Sequence, residues 1–317
     1  MTPIPQKAAS PKDKRYWLRL FTVFLVACTF ALIFLPTFLG ASFTWGLLYG
    51  PCGYSGRTPA NVDLPFEPVT IASQNGGSFS GFFIPGSNGA TIIMPPTLHG
   101  NSASRLPQAA MLAQHGYAVL LFESRRCAGI GPVSLGYHEV DEVEDALNYL
   151  LSRPNVDPKR IGVHGFSSAG ATSVMAGARL PQLQAVVAEG GYGNFFEETI
   201  GNYNDYLQDG RQSNLFATIF LTPFRWAMQL TYRLAIGSSI YQLNPTGVIH
   251  QIDPRPVLLI YGSKEPSLTG GQNQLAAAGP NTQLWIVDGA GHGTYLATAP
   301  EEYETHIVEF FDQALLK

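Results

Sequence analysis

A serine becomes a nucleophile when the backbone holds its hydroxyl out of a tight strand-to-helix turn. Such a turn accepts only small residues two places before and two places after it. The stretch HGFSSAG, residues 164–170, offers two serines. Around Ser167 the flanking residues are Gly165 and Ala169, whereas around Ser168 they are Phe166 and Gly170. Size assigns the attack to Ser167, with Ala169 one methyl larger than the G-x-S-x-G pattern. Ser168 keeps a role through its backbone, because an N–H at a helix N-terminus can face a developing oxyanion.

Such a turn needs a strand before it and a helix after it. RIGVHG is a short β-branched run, and SSAGATSVMAGARL is helical in pattern and opens with small residues. From Val69 onward β-type runs alternate with helical patterns: VTIAS, an Asn75-Gly76 turn, SFSGFFIP, ATIIMPP, a helical stretch near 104–115, YAVLLFES, then the amphipathic HEVDEVEDALNYLLSRP. LQAVVAEG, RPVLLIYG and QLWIVDG follow as apolar strands, and EEYETHIVEFFDQALL closes the chain as a helix with acids in its first turn. This alternation predicts an α/β fold with a mostly parallel sheet flanked by helices.

LHGN at 98–101, HGFSSAG, LLIYGSKEP at 258–266 and GAGHG at 289–293 together resemble the α/β-hydrolase superfamily, over roughly residues 69–317. Within it the chain is similar to serine hydrolases of esterase, lipase, thioesterase or prolyl-oligopeptidase-like type. The resemblance implies a triad in the order Ser167, Glu265, His292. His292 lies between two glycines after LWIV and would act as general base toward Ser167. Glu265 stands where the family usually has Asp and would orient the imidazole. Glu189 is the reserve candidate, and Asp253 and Asp288 are weaker ones. The oxyanion hole would take the N–H of Ser168 and, from the HG-x pattern at His99, Gly100 and Asn101, that of Asn101. His164, on the strand before the turn, is expected to be buried.

At 317 residues and 45% hydrophobic the chain can bury a substantial core. A net charge of -4 with 13% charged residues gives no basic footprint for nucleic acid. Cys28, Cys52 and Cys127 lack metal-site spacing, so neither a metal nor a cofactor is expected. Cys52 and Cys127 could pair if the domain is exported.

The first 19 residues carry Lys7, Lys12, Lys14, Arg15 and Arg19 against Asp13, and the next 20, LFTVFLVACTFALIFLPTFL, carry no charge. About 20 such residues span a bilayer core of roughly 30 Å. Residues 1–19 are therefore read as a cytoplasmic basic terminus, 20–45 as a transmembrane helix, 46–68 as a linker and 69–317 as an extracytoplasmic hydrolase domain. LVAC, residues 25–28, is similar to a lipobox, but the apolar run continues past Cys28 and is longer than a cleaved signal's core.

Residues 192–252 form a long insertion, read as a helical lid. From Asn214 to Gln251 it holds no acid, only Arg225 and Arg233 as strong charges, and bulky residues including Phe216, Phe220, Phe224, Trp226, Leu230, Tyr232 and Leu234. One face is expected to roof an apolar acyl pocket, or else to pack on the core. The expected function is cleavage of a small-molecule or lipid-like ester or thioester near a membrane through an acyl-enzyme. The alternatives are a prolyl-oligopeptidase-type serine peptidase, although no propeller repeat is visible, and a non-catalytic binding protein of the same fold. The sequence leaves the oligomeric state open.

Overall fold

Strands buried on both faces read as continuous apolar runs, and four such runs form the middle of one sheet. β3 (Thr91–Met94), β4 (Ala118–Phe122), β6 (Ala185–Glu189) and β7 (Val257–Gly262) bury every residue, and β5 (Ile161–Phe166) all but its last. β1 (Glu67–Ala72) alternates buried and exposed positions at one edge, paired with β2 (Ser78–Ile84), while β8 (Thr282–Val287) closes the other. The computed structural model describes residues 11–53, 56–200 and 215–317.

The strand order is β1-β2-β4-β3-β5-β6-β7-β8. β2 runs antiparallel to both neighbours, and all other pairs are parallel. Parallel neighbours need crossovers. These are α3 (Leu106–Gln114) after β3, α4 (Glu139–Leu151) after β4, α5 (Ser168–Arg179) after β5 and α8 (Leu268–Ala277) after β7, with α9 (Pro300–Phe311) after β8. One core layer joins α4 and α5 to the sheet through residues such as Val143, Leu147 and Val174, and the opposite layer joins α3 and α9 through Leu106, Leu112, Ile307 and Phe311. The chain winds outward in both directions from β3 and β5. The carboxyl ends of these two strands therefore flank the crevice where open α/β sheets bind ligands.

The N-terminal helix is α1 (Pro11–Thr29), a π-helical turn (Phe30–Phe34) and α2 (Leu35–Tyr49). Lys14–Tyr49 is long and apolar enough to cross a membrane, and its most apolar window is not buried in the protein. The helix runs four residues beyond the expected end at 45, because Leu47 and Leu48 continue the apolar pattern until Gly50-Pro51 ends it. The expected linker also begins differently. Leu48 is fully buried among Leu135, Phe196, Met228, Tyr232, Ile240 and Leu243.

The lid insertion divides between the expected arrangements, one part bordering the site and another packing into a buried cluster, and its long helix adds a partner that neither named. Residues 201–214 lie outside the described part, as do Lys7 of the N-terminus and the side chain of Phe216. The remainder forms α6 (Phe195–Ile200) and the 22-residue α7 (Leu215–Ile236). α7 lies alongside α2: a Cβ at Gly40 would sit 2.3 Å from the Phe224 carbonyl oxygen, and the Phe43 and Phe224 rings are 6.2 Å apart. Pro36, Gly40, Thr44 and Leu48 make the buried stripe of α2, one every four residues. α7 buries Ala227, Met228 and Tyr232, but Trp226 is 69% and Leu234 78% exposed. Its outer face thus carries large apolar side chains beside the exposed Arg233.

Candidate active site

Ser167 sits between the end of β5 and the start of α5 with φ 59° and ψ −125°. For a non-glycine residue this is strained, at a cost of about 1–3 kcal/mol held by the surroundings. Two glycines make the turn possible. A Cβ at Gly165 would lie 2.1 Å from the Ala169 carbonyl oxygen, and one at Gly170 would lie 2.7 Å from that of Glu189. Ala169 is buried with its methyl in place, so the close helix-to-strand contact falls on Gly170 instead.

The loop after β8 brings His292 to this turn. Its Nε2 is 3.1 Å from Ser167 Oγ, and its Nδ1 is 3.4 Å from Glu265 Oε1 on the loop after β7. A carboxylate can only accept, so the Nδ1–H donates to it and the bare Nε2 accepts from the serine hydroxyl. The 3.4 Å contact is long, as such contacts often are before substrate draws them together. The His292 side chain is 45% exposed and that of Glu265 fully buried, so the base meets solvent while the acid does not. Room for the imidazole comes from Gly190 (φ 55°), where a Cβ would lie 3.0 Å from the ring. Phe166 packs against its face at 4.8 Å.

Burial pushes the Glu265 carboxyl up, but hydrogen bonds from His292, Ser267, Tyr295 and the Gly262 N–H outweigh it and hold it below the usual carboxylate range. It therefore stays ionised, as an imidazolium partner must. Tyr295, three residues after the histidine, carried no sequence signal for this task.

The reserve acid, Glu189, points elsewhere. It is 1% exposed and accepts from Arg105 Nη2 at 3.0 Å, from Tyr303 Oη and from His164 Nε2, beneath the turn and not at His292. Burial opposes its charge, yet Arg105 first and His164 after it hold the carboxyl down at about 2. His164 is fully buried, and that burial lowers its pKa despite Glu189, so it is neutral in the fold. Both shifts have one sign. The unfolded chain takes up protons at higher pH than the folded one, so this stability is complete above the unfolded pKa values and is lost as pH falls. Melting temperature should begin to fall below about pH 6.5 as unfolded histidine protonates, and fall faster below about pH 4.3 toward pH 2. Calorimetry over that range in detergent micelles checks this, and Glu189→Gln should flatten the lower part.

A cleft of about 290 Å3 opens over Ser167, Ser168 and His292, walled by Leu47, Leu98, Leu135, Tyr192 and Phe195. Leu98 stands at the cleft where Asn101 was expected. Asn101 does not border this cleft; it is buried and its Oδ1 accepts the Ala103 N–H at 3.0 Å. Pro95-Pro96-Thr97 follows β3, and Leu98 after it borders the cleft beside Ser168. Glu198 also borders the cleft and accepts the N–H groups of Gly193 and Asn194 at 2.7 and 2.9 Å. Nothing in the sequence around it signals this place. α7 contributes nothing to the lining, and α6 stands there instead. Among the described residues no three His, Cys, Asp or Glu side chains group to hold a metal.

A polar serine, a neutral acceptor nitrogen and a buried carboxylate in a line at the carboxyl ends of a doubly wound sheet can run nucleophilic acyl transfer. The family model described as "Alpha/beta hydrolase family" matches residues 83–305. The chain belongs to this family. This alpha/beta hydrolase is 24% identical over 327 residues to the uncharacterized protein YfhR of Escherichia coli (strain K12), covering 97% of this chain and 98% of that one. It is 28% identical over 142 residues to the thiohydrolase aneE of Aspergillus aculeatus, covering 41% and 43%. The crystal structure of the Pyrococcus furiosus esterase Pf2001 superposes with a TM-score of 0.62 at 21% identity, covering 84% and 98%. That last likeness is one of fold.

Proposed function

We propose that this hydrolase is a serine enzyme that cleaves an ester or thioester with an apolar acyl group through an acyl-enzyme. The observation that carries this reading is the Ser167–His292–Glu265 line at a strained turn. Ser167 attacks the acyl carbon, His292 takes its proton and returns it to the leaving group, and Glu265 holds the imidazole. The N–H groups of Ser168 and Leu98 receive the oxyanion. Water then attacks the acyl-serine by the same route. The leucines of the cleft favour an apolar acyl chain, and the name of the thiohydrolase relative agrees with acyl chemistry on a thioester.

The domain works outside the cytoplasm, tethered by one span with its N-terminus inside. The basic N-terminal flank supports that orientation. The bond between Cys52 and Cys127 supports an oxidising compartment. A fluorophosphonate probe and a panel of p-nitrophenyl esters and acyl thioesters, applied to the full chain in micelles with Ser167→Ala as control, test the reading. Labelling and turnover that depend on Ser167 are expected. An intact protein that neither labels nor turns over any of them would overturn it.

A further inference from the structure

The outer end of the anchor helix does not stop short of the catalytic crevice. Leu47 borders the same cleft as Ser167 and His292. The backbone around it is stitched to both loops that wall that cleft. His99 Nε2–H donates to the Leu47 carbonyl at 2.9 Å, and the Gly53 N–H donates to the His99 carbonyl at 2.8 Å. These hold the loop that carries Leu98. On the other side the Val133 N–H donates to Leu48 O at 3.0 Å, Arg126 Nε–H donates to Gly50 O at 3.1 Å, and Cys52 is bonded to Cys127. These hold the loop that carries Leu135. The fit at the junction is tight, since a Cβ at Gly50 would lie 2.4 Å from the His99 ring.

We propose that Leu47–Gly53 is a working wall of the active site, with Leu47 setting the acyl length accepted and the rest of the segment positioning the oxyanion loop. The proposal rests on the hydrolase reading above. An oxyanion donor stabilises the transition state only if it is already in place, and the loop after β3 has no regular secondary structure to fix it. Hydrogen bonds tie it to this segment and, through the Ser124 N–H to Gly100 O at 3.0 Å, to the loop that the same segment holds. Leu47 is thus a specificity residue that comes from the membrane helix. His99 and the Cys52–Cys127 bond are positioning elements that touch no substrate. A domain detached at residue 50 loses the wall and uncovers the pocket that Leu48 fills.

The test uses the full chain in micelles. Leu47→Ala should raise, and Leu47→Trp lower, the ratio of kcat/KM for p-nitrophenyl octanoate over butyrate, each by about tenfold. Val26→Ala, a lipid-facing change in the same helix, should leave the ratio alone. Cys52→Ser should lower kcat by tenfold or more, up to about 10²-fold, with KM nearly unchanged. It should also speed amide hydrogen exchange across residues 97–101. Leu47 variants with the wild-type ratio, or a Cys52→Ser protein with unchanged kcat and exchange, would overturn the proposal. If the wild type hydrolyses neither ester, the hydrolase reading fails, and the exchange measurement still decides whether the clamp exists.

Discussion

Ser167→Ala and His292→Ala should each lower kcat by about a millionfold, while Glu265→Gln should cost roughly ten-thousandfold. The ranking follows from the geometry. Without Ser167 there is no acyl-enzyme, and without His292 there is no group within 3.1 Å of its hydroxyl to take the proton. Without the Glu265 charge the imidazole is still present, and Gly190 and Phe166 still shape its site. What is lost is the stabilisation of the imidazolium and the fixed Nδ1–H tautomer. Because the three act as one unit, the double variant Ser167→Ala/His292→Ala should be no slower than either single one. Ser168→Ala separates the two neighbouring serines. Its backbone N–H survives the change, so kcat should move by less than about tenfold. Active-site titration combined with pre-steady-state turnover reads all five proteins. A Ser168→Ala protein as inactive as Ser167→Ala would show that the turn has been assigned to the wrong residue.

The second large effect is on stability. Replacing Glu189 with Leu should destabilise the fold by about 3–5 kcal/mol, because it strands the Arg105 guanidinium where both partners are nearly sealed from water. For a domain of this size that is a fall in melting temperature of roughly 10 °C. The double change Arg105→Met/Glu189→Leu should recover part of the loss, because it removes the stranded charge while Tyr303 Oη and His164 Nε2 still lack their acceptor. The double should still be a poorer enzyme than its stability implies. The Ser167 N–H donates to the Glu189 backbone oxygen at 2.8 Å, and Arg105 lies 5.1 Å above the centre of the Phe166 ring that backs His292. Melting curves and kcat measured on the same three proteins separate the two consequences. A double variant as unstable as the single one would show that the cost is not the stranded charge.

The parts of this site that could be read from sequence are those set by local sterics. The glycine before Ser167, the glycines around His292 and the apolar strands leave marks within a few residues of themselves. The parts that could not be read depend on pairings far apart in the chain. Arg105, His164, Glu189 and Tyr303 come from four separate elements, and nothing near Arg105 in sequence says that a carboxylate 84 residues later will meet it. Asn101 was chosen by motif register, whereas the residue of this loop that borders the cleft is Leu98, and the Asn101 Oδ1 turns to the Ala103 N–H. The lid's bulky side chains fitted a roof and a core face equally well, since hydrophobic pattern records burial without naming the partner. Part of that partner is the N-terminal helix, about 180 residues earlier at the Gly40–Phe224 contact. The pairing of Cys52 with Cys127 had the same character, being open until the chain segments were placed.

Because α2 continues α1 in one helix long and apolar enough to cross a membrane, and ends in the wall of the cleft, its length would fix an altitude. If the charge-free residues 20–39 occupy the hydrocarbon core, Leu47 stands eight residues above its edge, about 12 Å at the helical rise. The headgroup zone is roughly 5–7 Å deep on each side. With that placement the cleft stands just above the headgroups, at a height set by a rigid rod, and a molecule held in the leaflet on that side would need to rise only a few ångströms to meet Ser167.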